Sequence, residues 1–372
     1  MQAHESLASW LVVALLCGCG NGSSTKVEAD AATSQTDTSA ASAETGGTES
    51  TAGQVTTNSN TGGSDSSSNS TTMTNADAGT QTSPDSSMDL ADAATASDAS
   101  ASPPIITPGP FPVVDDFSQP GPYTSTTMVN VGPSNNYTVY MPDEPPPEGA
   151  RNPLVAWTSG GSTSHTFYTL LPQLASHGFI VVTSNTIPGI GGEAQLGQEI
   201  VAGLDWALAE NDNSGSALYQ RIDSSKVASA GYSMGSLATF EIADDPRLTT
   251  TVHISGGSMT AGVVDKLHAP AAFICGIPDP SCTDLLSATC DIAGANCAMD
   301  FDDATTPVFY ATFQYGHMGI LTSPYMERIN AMTTAWLRRY LMGDTTLIEL
   351  FEGTACTYCS DADWTVKQKQ LD

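Results

Sequence analysis

Ser233, Asp279 and His317 are the residues whose types and order point to nucleophilic chemistry. A serine hydroxyl attacks poorly until a histidine takes its proton, and the histidine needs a carboxylate to orient it and stabilise its charged form. Ser233 lies in Gly231-Tyr-Ser-Met-Gly235, between a small apolar run starting at Val227 and a helix-forming run, Leu237–Ala243. That layout predicts a strand turning sharply into a helix with the serine at the apex, where glycines two residues either side leave room for the turn. Asp279, in Gly276-Ile-Pro-Asp-Pro280, and His317, in Tyr315-Gly-His-Met-Gly319, each follow an apolar run that reads as a strand. The order nucleophile, acid, base fits this arrangement, with a crossover helix between the last two.

Other acids in reach of the same role are Asp284, Asp291 and Asp303; other bases are His165, His177, His253 and His268. His177 sits beside a helix end, His253 within a strand and His268 before a proline, so these three read as structural. His165 lies near the loop expected to face the nucleophile. A developing oxyanion needs backbone donors. Met234, directly after the serine, supplies one, and Gly160, in Thr158-Ser-Gly-Gly-Ser162, is the expected second. This chemistry needs no metal and no organic cofactor. Cys356-x-x-Cys359 has no second pair of Cys or His ligands beside it, so a structural bridge is the simpler reading.

The elements that must position these residues alternate between strands and helices. Tyr123–Val131 and Tyr137–Met141 read as a leading hairpin. Strands follow at Leu154–Trp157, Phe179–Thr183, Thr251–Ser255, Ala271–Cys275 and Val308–Phe313. Helical spacing covers Phe167–Ala175, ended by Gly178, then Glu193–Glu210, and Tyr325–Met342, ended by Gly343. Alternation of this kind implies a mostly parallel sheet covered on both faces. With the Gly-x-Ser-x-Gly turn, it predicts an α/β-hydrolase fold in a single domain over residues 110–372.

Residues 19–109 are almost entirely Ser, Thr, Ala, Asp, Gly and Asn, too few of them apolar to build a core, and read as a disordered tether. Residues 1–18 read as a signal peptide. The apolar run Leu7–Leu16 is too short to span a bilayer and leads into Leu16-Cys-Gly-Cys19, a lipoprotein-type signal that makes Cys19 the lipidated residue. Plain secretion is the alternative, because no Lys or Arg precedes the apolar run. A flexible tether of this length would hold the domain about 50 Å from a surface. The six remaining cysteines, an even number in an exported chain, favour disulfides. A formal net charge of −29 disfavours nucleic-acid binding, since phosphates would be repelled.

The domain resembles the bacterial polyester hydrolases, the cutinase-like and PET-hydrolase group of the dienelactone-hydrolase-like α/β-hydrolases. The resemblance rests on Gly121-Pro-Tyr-Thr124, Leu174-Ala-Ser-His-Gly-Phe-Ile-Val-Val-Thr183, Gly231-Tyr-Ser-Met-Gly235 and Ala335-Trp-Leu-Arg-Arg-Tyr-Leu341. It implies a serine carboxylic ester hydrolase working through Ser233, His317 and Asp279. Two departures fall where substrate is chosen. That group carries an aromatic residue in the oxyanion loop, here matched to Gly160, and a tryptophan after the strand that follows the serine, here Ser255-Gly-Gly-Ser-Met259. The resemblance therefore implies ester hydrolysis without extending to aromatic polyesters; plant-wall acetyl or feruloyl esters and short-chain lipids are alternative substrates. A non-catalytic binding protein of the same fold is the competing class. The expected partners are an ester substrate, small or polymeric, and a membrane only through the lipid anchor; the chain is expected to be a monomer.

Overall fold

The computed structural model describes residues 107–189, 191–354 and 356–371. The expected signal peptide, Cys19 and residues 19–106 of the expected tether lie outside the described residues. Thr107, within that tether's span, exchanges hydrogen bonds with Thr345: its N–H donates to Thr345 Oγ1 at 2.8 Å and its carbonyl accepts from Thr345 N–H at 2.9 Å.

The described residues form a nine-stranded sheet in the order β1-β2-β4-β3-β5-β6-β7-β8-β9. The strands are β1 (Ser125–Val131), β2 (Tyr137–Pro142), β3 (Asn152–Thr158), β4 (Ile180–Ser184), β5 (Ile222–Tyr232), β6 (Leu248–Ile254), β7 (Ala271–Gly276), β8 (Val308–Phe313) and β9 (Thr365–Lys369). Strands β4 to β8 and β3 run parallel, while β1, β2 and β9 add antiparallel pairings at the two edges. The longer helices are α1 (Leu170–Ser176), α2 (Glu193–Glu210), α3 (Met234–Glu241), α4 (Gly294–Asp303) and α5 (Tyr325–Met342). This is an α/β-hydrolase fold.

Alternation along the buried strands explains why both faces are covered. In β3, Val155 and Trp157 join the cluster that contains Leu171 and Leu174 of α1 and Met332, Trp336 and Leu337 of α5. Leu154 and Ala156, between them, join Leu196, Ile200 and Leu204 of α2 on the other face. A strand that is apolar at every position can only be satisfied by helices on both sides. Among the described residues no helix is long and apolar enough to cross a membrane.

Two local readings change. The helical segment expected at Phe167–Ala175 is split into a 3-10 turn, His165–Phe167, and α1, because Tyr168 is extended (φ −102°, ψ 109°) and turns inward. The strand β9, which periodicity did not mark, pairs its five residues with Thr312 back to Val308 and closes the sheet edge.

α5 is tied to the start of the domain by Arg338, a fully buried guanidinium. It donates to the Pro112 carbonyl at 2.8 Å and the His177 carbonyl at 3.5 Å, and lies 3.3 Å from Asp344 Oδ2. Removing one partner of a buried pair leaves the other charge unpaired. Arg338→Ala is expected to lower the unfolding free energy by about 3–5 kcal/mol, read as a lower urea midpoint at unchanged slope.

Candidate active site

Ser233 stands at the end of β5 with φ 53° and ψ −117°, a strained backbone for a residue with a side chain. The turn is possible because the chain passes over itself at the two glycines. A Cβ on Gly231 would fall 2.2 Å from the Gly235 carbonyl oxygen, and one on Gly235 would fall 2.0 Å from the Thr158 carbonyl oxygen. Any side chain at either position would force β3, β5 and α3 apart. The hydroxyl of Tyr232, the residue before the serine, donates to the His317 carbonyl at 2.8 Å and so joins the turn to the loop after β8.

His317 opens the 3-10 turn His317–Leu321, directly after β8. Its Nε2 lies 2.9 Å from Ser233 Oγ and its Nδ1 lies 2.8 Å from Asp291 Oδ1. The serine is 8% exposed, the histidine 2% and the aspartate 0%. Asp291 is further held by the N–H of Ala293 on Oδ1 at 2.9 Å and the N–H of Gly276 on Oδ2 at 3.1 Å. Burial pushes this carboxyl up, but its contact with His317 and the two amide donors more than offset it and leave the pKa below the ordinary 3.8. Asp291 is therefore the ionised acceptor, and Nδ1 carries the proton between them.

The carboxylate that the structure brings to His317 is Asp291 and not the expected Asp279. Asp279 is far less buried than Asp291, and its Oδ1 accepts the N–H and hydroxyl of Ser281 at 2.8 and 2.7 Å, a turn that caps its own loop. Residues 277–290 form an excursion pinched by Cys282–Cys290, and only at Asp291 does the chain return to the end of β7, where Pro278 and Asp291 form an isolated bridge. The two cysteines were the available signal: a disulfide closing that stretch makes it a side loop and moves the acid past it. A second bridge, Cys275–Cys297, fastens α4 to β7; Cys356–Cys359 is a local bridge near the C-terminus.

Gly160 is corrected as well. Its N–H donates to the Tyr168 hydroxyl at 2.9 Å and its carbonyl accepts from Thr163 Oγ1 at 2.7 Å, so its polar groups are already committed. The next residue, Gly161, sits against the nucleophile turn, with its Cβ position 3.2 Å from Met234 Cγ. Among the described residues the Gly161 N–H has no acceptor. Met234 is the first residue of α3, so its N–H has no partner within the helix. The N–H groups of Gly161 and Met234, both at the nucleophile turn, are thus open among the described residues, whereas that of Gly160 is taken.

The remaining histidines are engaged elsewhere. His165 Nδ1 bonds the Tyr140 hydroxyl at 2.8 Å, and His268 Nδ1 bonds the Ala243 carbonyl at 2.7 Å. His253 stacks on Phe240 at 3.8 Å between ring centroids, and burial pushes its pKa down to about 3. Burial likewise pushes His177 down to about 4, with its Nε2 3.1 Å from the Gln119 carbonyl oxygen. Among the described residues no cluster of His, Cys, Asp and Glu could hold a metal ion.

Those two buried, neutral rings make stability depend on acid. The unfolded chain protonates them near the ordinary 6.5, the folded protein only near about 4 and about 3. Their contribution is complete above pH 6.5 and is lost as the pH falls toward the folded values. Between about pH 5.5 and 4.5 the unfolding free energy is expected to drop by up to about 2.7 kcal/mol per pH unit, about half of that in His253→Gln. Urea titrations at a series of pH values read the slope.

A family model described as PET hydrolase-like matches residues 109–367. Cutinase 2 of Thermobifida cellulosilytica is 36% identical over 107 residues, which are 28% of this chain and 38% of that protein. Cutinase cut1 of Thermobifida fusca is 36% identical over 107 residues, 28% of this chain and 31% of that protein. The chain thus spans only about a third of the length of these curated relatives. The family model covers most of the chain, including Ser233, Asp291, His317 and the loops that carry them: the chain belongs to the PET hydrolase-like family.

Proposed function

We propose that this chain is a serine ester hydrolase in which Ser233, His317 and Asp291 act as a catalytic triad. The observation that carries the reading is the continuous line from Asp291 Oδ1 through His317 to Ser233 Oγ, with contacts of 2.8 and 2.9 Å. Ser233 Oγ attacks the ester carbonyl carbon while His317 Nε2 takes the hydroxyl proton. The carbonyl electron pair moves to oxygen, which accepts the N–H groups of Met234 and Gly161. Collapse breaks the bond to the alcohol oxygen, which leaves with the proton from Nε2, and the acyl group remains as an ester on Ser233. Water then attacks this ester with His317 again as base, releasing the acid and restoring the serine. Asp291 stays ionised throughout and stabilises the imidazolium.

The substrate reading is an ester with an aliphatic acyl chain, small or polymeric. The loop after β3 carries glycine at both 160 and 161, and at Gly257, in the loop after β6, a Cβ would fall 2.2 Å from the Cys297 amide nitrogen, which leaves no room for an aromatic platform there. From its sequence the chain is further proposed to be a monomer held at a membrane by a lipid on Cys19.

The full chain is expected to hydrolyse p-nitrophenyl acetate, butyrate and octanoate, and Ser233→Ala to abolish turnover of all three. No turnover from folded wild type would leave a binding role. The two candidate acids separate cleanly: Asp291→Asn is expected to lower kcat by about 10⁴, and Asp279→Asn to change it by less than about twofold. A larger loss at Asp279 would restore it as the acid.

A further inference from the structure

The loop after β3 contains a closed ring of hydrogen bonds that the proposed chemistry does not itself touch. Gly160 N–H donates to the Tyr168 hydroxyl at 2.9 Å. The Thr163 hydroxyl donates to the Gly160 carbonyl at 2.7 Å, and the Tyr168 and Thr163 oxygens are 2.5 Å apart. Thr163 has one hydroxyl proton and spends it on the carbonyl, so the proton between the two side chains belongs to Tyr168. Both side chains are withdrawn from water, Tyr168 being 2% and Thr163 9% exposed. Burial pushes the Tyr168 pKa up to about 12, so the phenol keeps its proton across neutral and mildly alkaline pH. Its ring packs on Trp157 of β3, at 4.9 Å between centroids, and on Tyr232, the residue before the nucleophile, at 5.8 Å. The effect of the ring falls on the next residue. The Gly160 carbonyl and the Gly161 N–H belong to one planar trans peptide unit, in which they point in opposite directions. Thr163 draws the carbonyl to its own side with its hydroxyl and, at 3.2 Å, its N–H, so the Gly161 N–H faces away from the ring.

We propose that Tyr168 and Thr163 are positioning residues for the oxyanion: by closing this ring around Gly160 they fix the peptide plane whose N–H, on Gly161, receives the developing charge. The inference rests on the ester hydrolase reading and on Gly161 as a donor. Two adjacent glycines are where such a brace is needed, because neither has a Cβ to restrict the rotation of the peptide between them. A donor stabilises a transition state through being aimed beforehand, and a plane free to turn loses that advantage. Phenylalanine at position 168 would keep the ring packing and remove only the oxygen that holds Gly160 N–H and Thr163.

The test compares wild type, Tyr168→Phe, Thr163→Val, Thr163→Ser and the double variant Tyr168→Phe/Thr163→Val on p-nitrophenyl butyrate, with Ser233→Ala as the blank. Tyr168→Phe is expected to lower kcat by about tenfold, a part of the roughly 10²–10³ that loss of a whole donor costs, with KM within about twofold of wild type. Affinity for butylboronic acid, whose tetrahedral adduct on Ser233 carries an oxygen in the oxyanion's place, should fall by the same factor. Thr163→Val should behave alike, and Thr163→Ser, which keeps the hydroxyl, should recover most of that loss. The double variant should resemble Tyr168→Phe alone, since both changes open one ring. In Tyr168→Phe, a kcat within about twofold of wild type, a KM that rises as far as kcat falls, or an unchanged boronate affinity would each overturn the proposal, as would additive losses in the double variant. Should Tyr168→Phe fail to fold, the two Thr163 variants decide by the same readouts. Wild type inactive on every ester would sink the hydrolase reading and the brace with it, whereas an active wild type with unaffected variants would sink the brace alone.

Discussion

The burial of the Asp291 charge constrains the rest of the site. A carboxylate with no exposure is costly unless every lone pair finds a donor, and here the donors are His317 Nδ1 and the amides of Gly276 and Ala293. Each comes from a different place: the loop after β8, the last residue of β7, and the approach to α4. The acid can stay ionised only if β7 and β8 are neighbours and the helix begins where it does. The parallel pairing of β7 with β8 and the Cys275–Cys297 bridge supply that geometry. A structural bridge and a sheet register thus do their work at a single oxygen pair, which in turn sets the ring of His317.

The serine imposes a second constraint, of backbone rather than charge. Its positive φ costs of order 1–3 kcal/mol and persists only where the surroundings leave no alternative. Here the surroundings are the near-contact of Gly235 with the end of β3, the pairing of β5 with β6, and the bond from Tyr232 to the His317 carbonyl. The same packing lifts Met234 N–H to the start of a helix and brings Gly161 alongside it. The proposed nucleophile, base and donors are therefore placed by one crowded junction at the C-terminal ends of β3, β5 and β8, the edge where ligands bind in open α/β sheets.

Much of this was legible in the residues. The elements α2 and α5 fall on the spans that their apolar spacing marks, and six of the strands follow from short apolar runs, because period and turn chemistry act over a few residues. Ser233 was marked by its flanking glycines and His317 by its place just after a strand, both local signals. β9 was not legible, since a short polar edge strand has no apolar face to announce it. Asp279 and Gly160 looked right by the same local criterion, a polar or small residue just past a strand, and the fold assigns both to other partners. What the sequence determined by itself was the class of element, the turn and the two residues fixed by it. Which carboxylate and which amide complete the site was decided only in three dimensions. A disulfide-closed excursion chooses where the chain comes back, and hydrogen bonds are made across space between groups 26 and more residues apart.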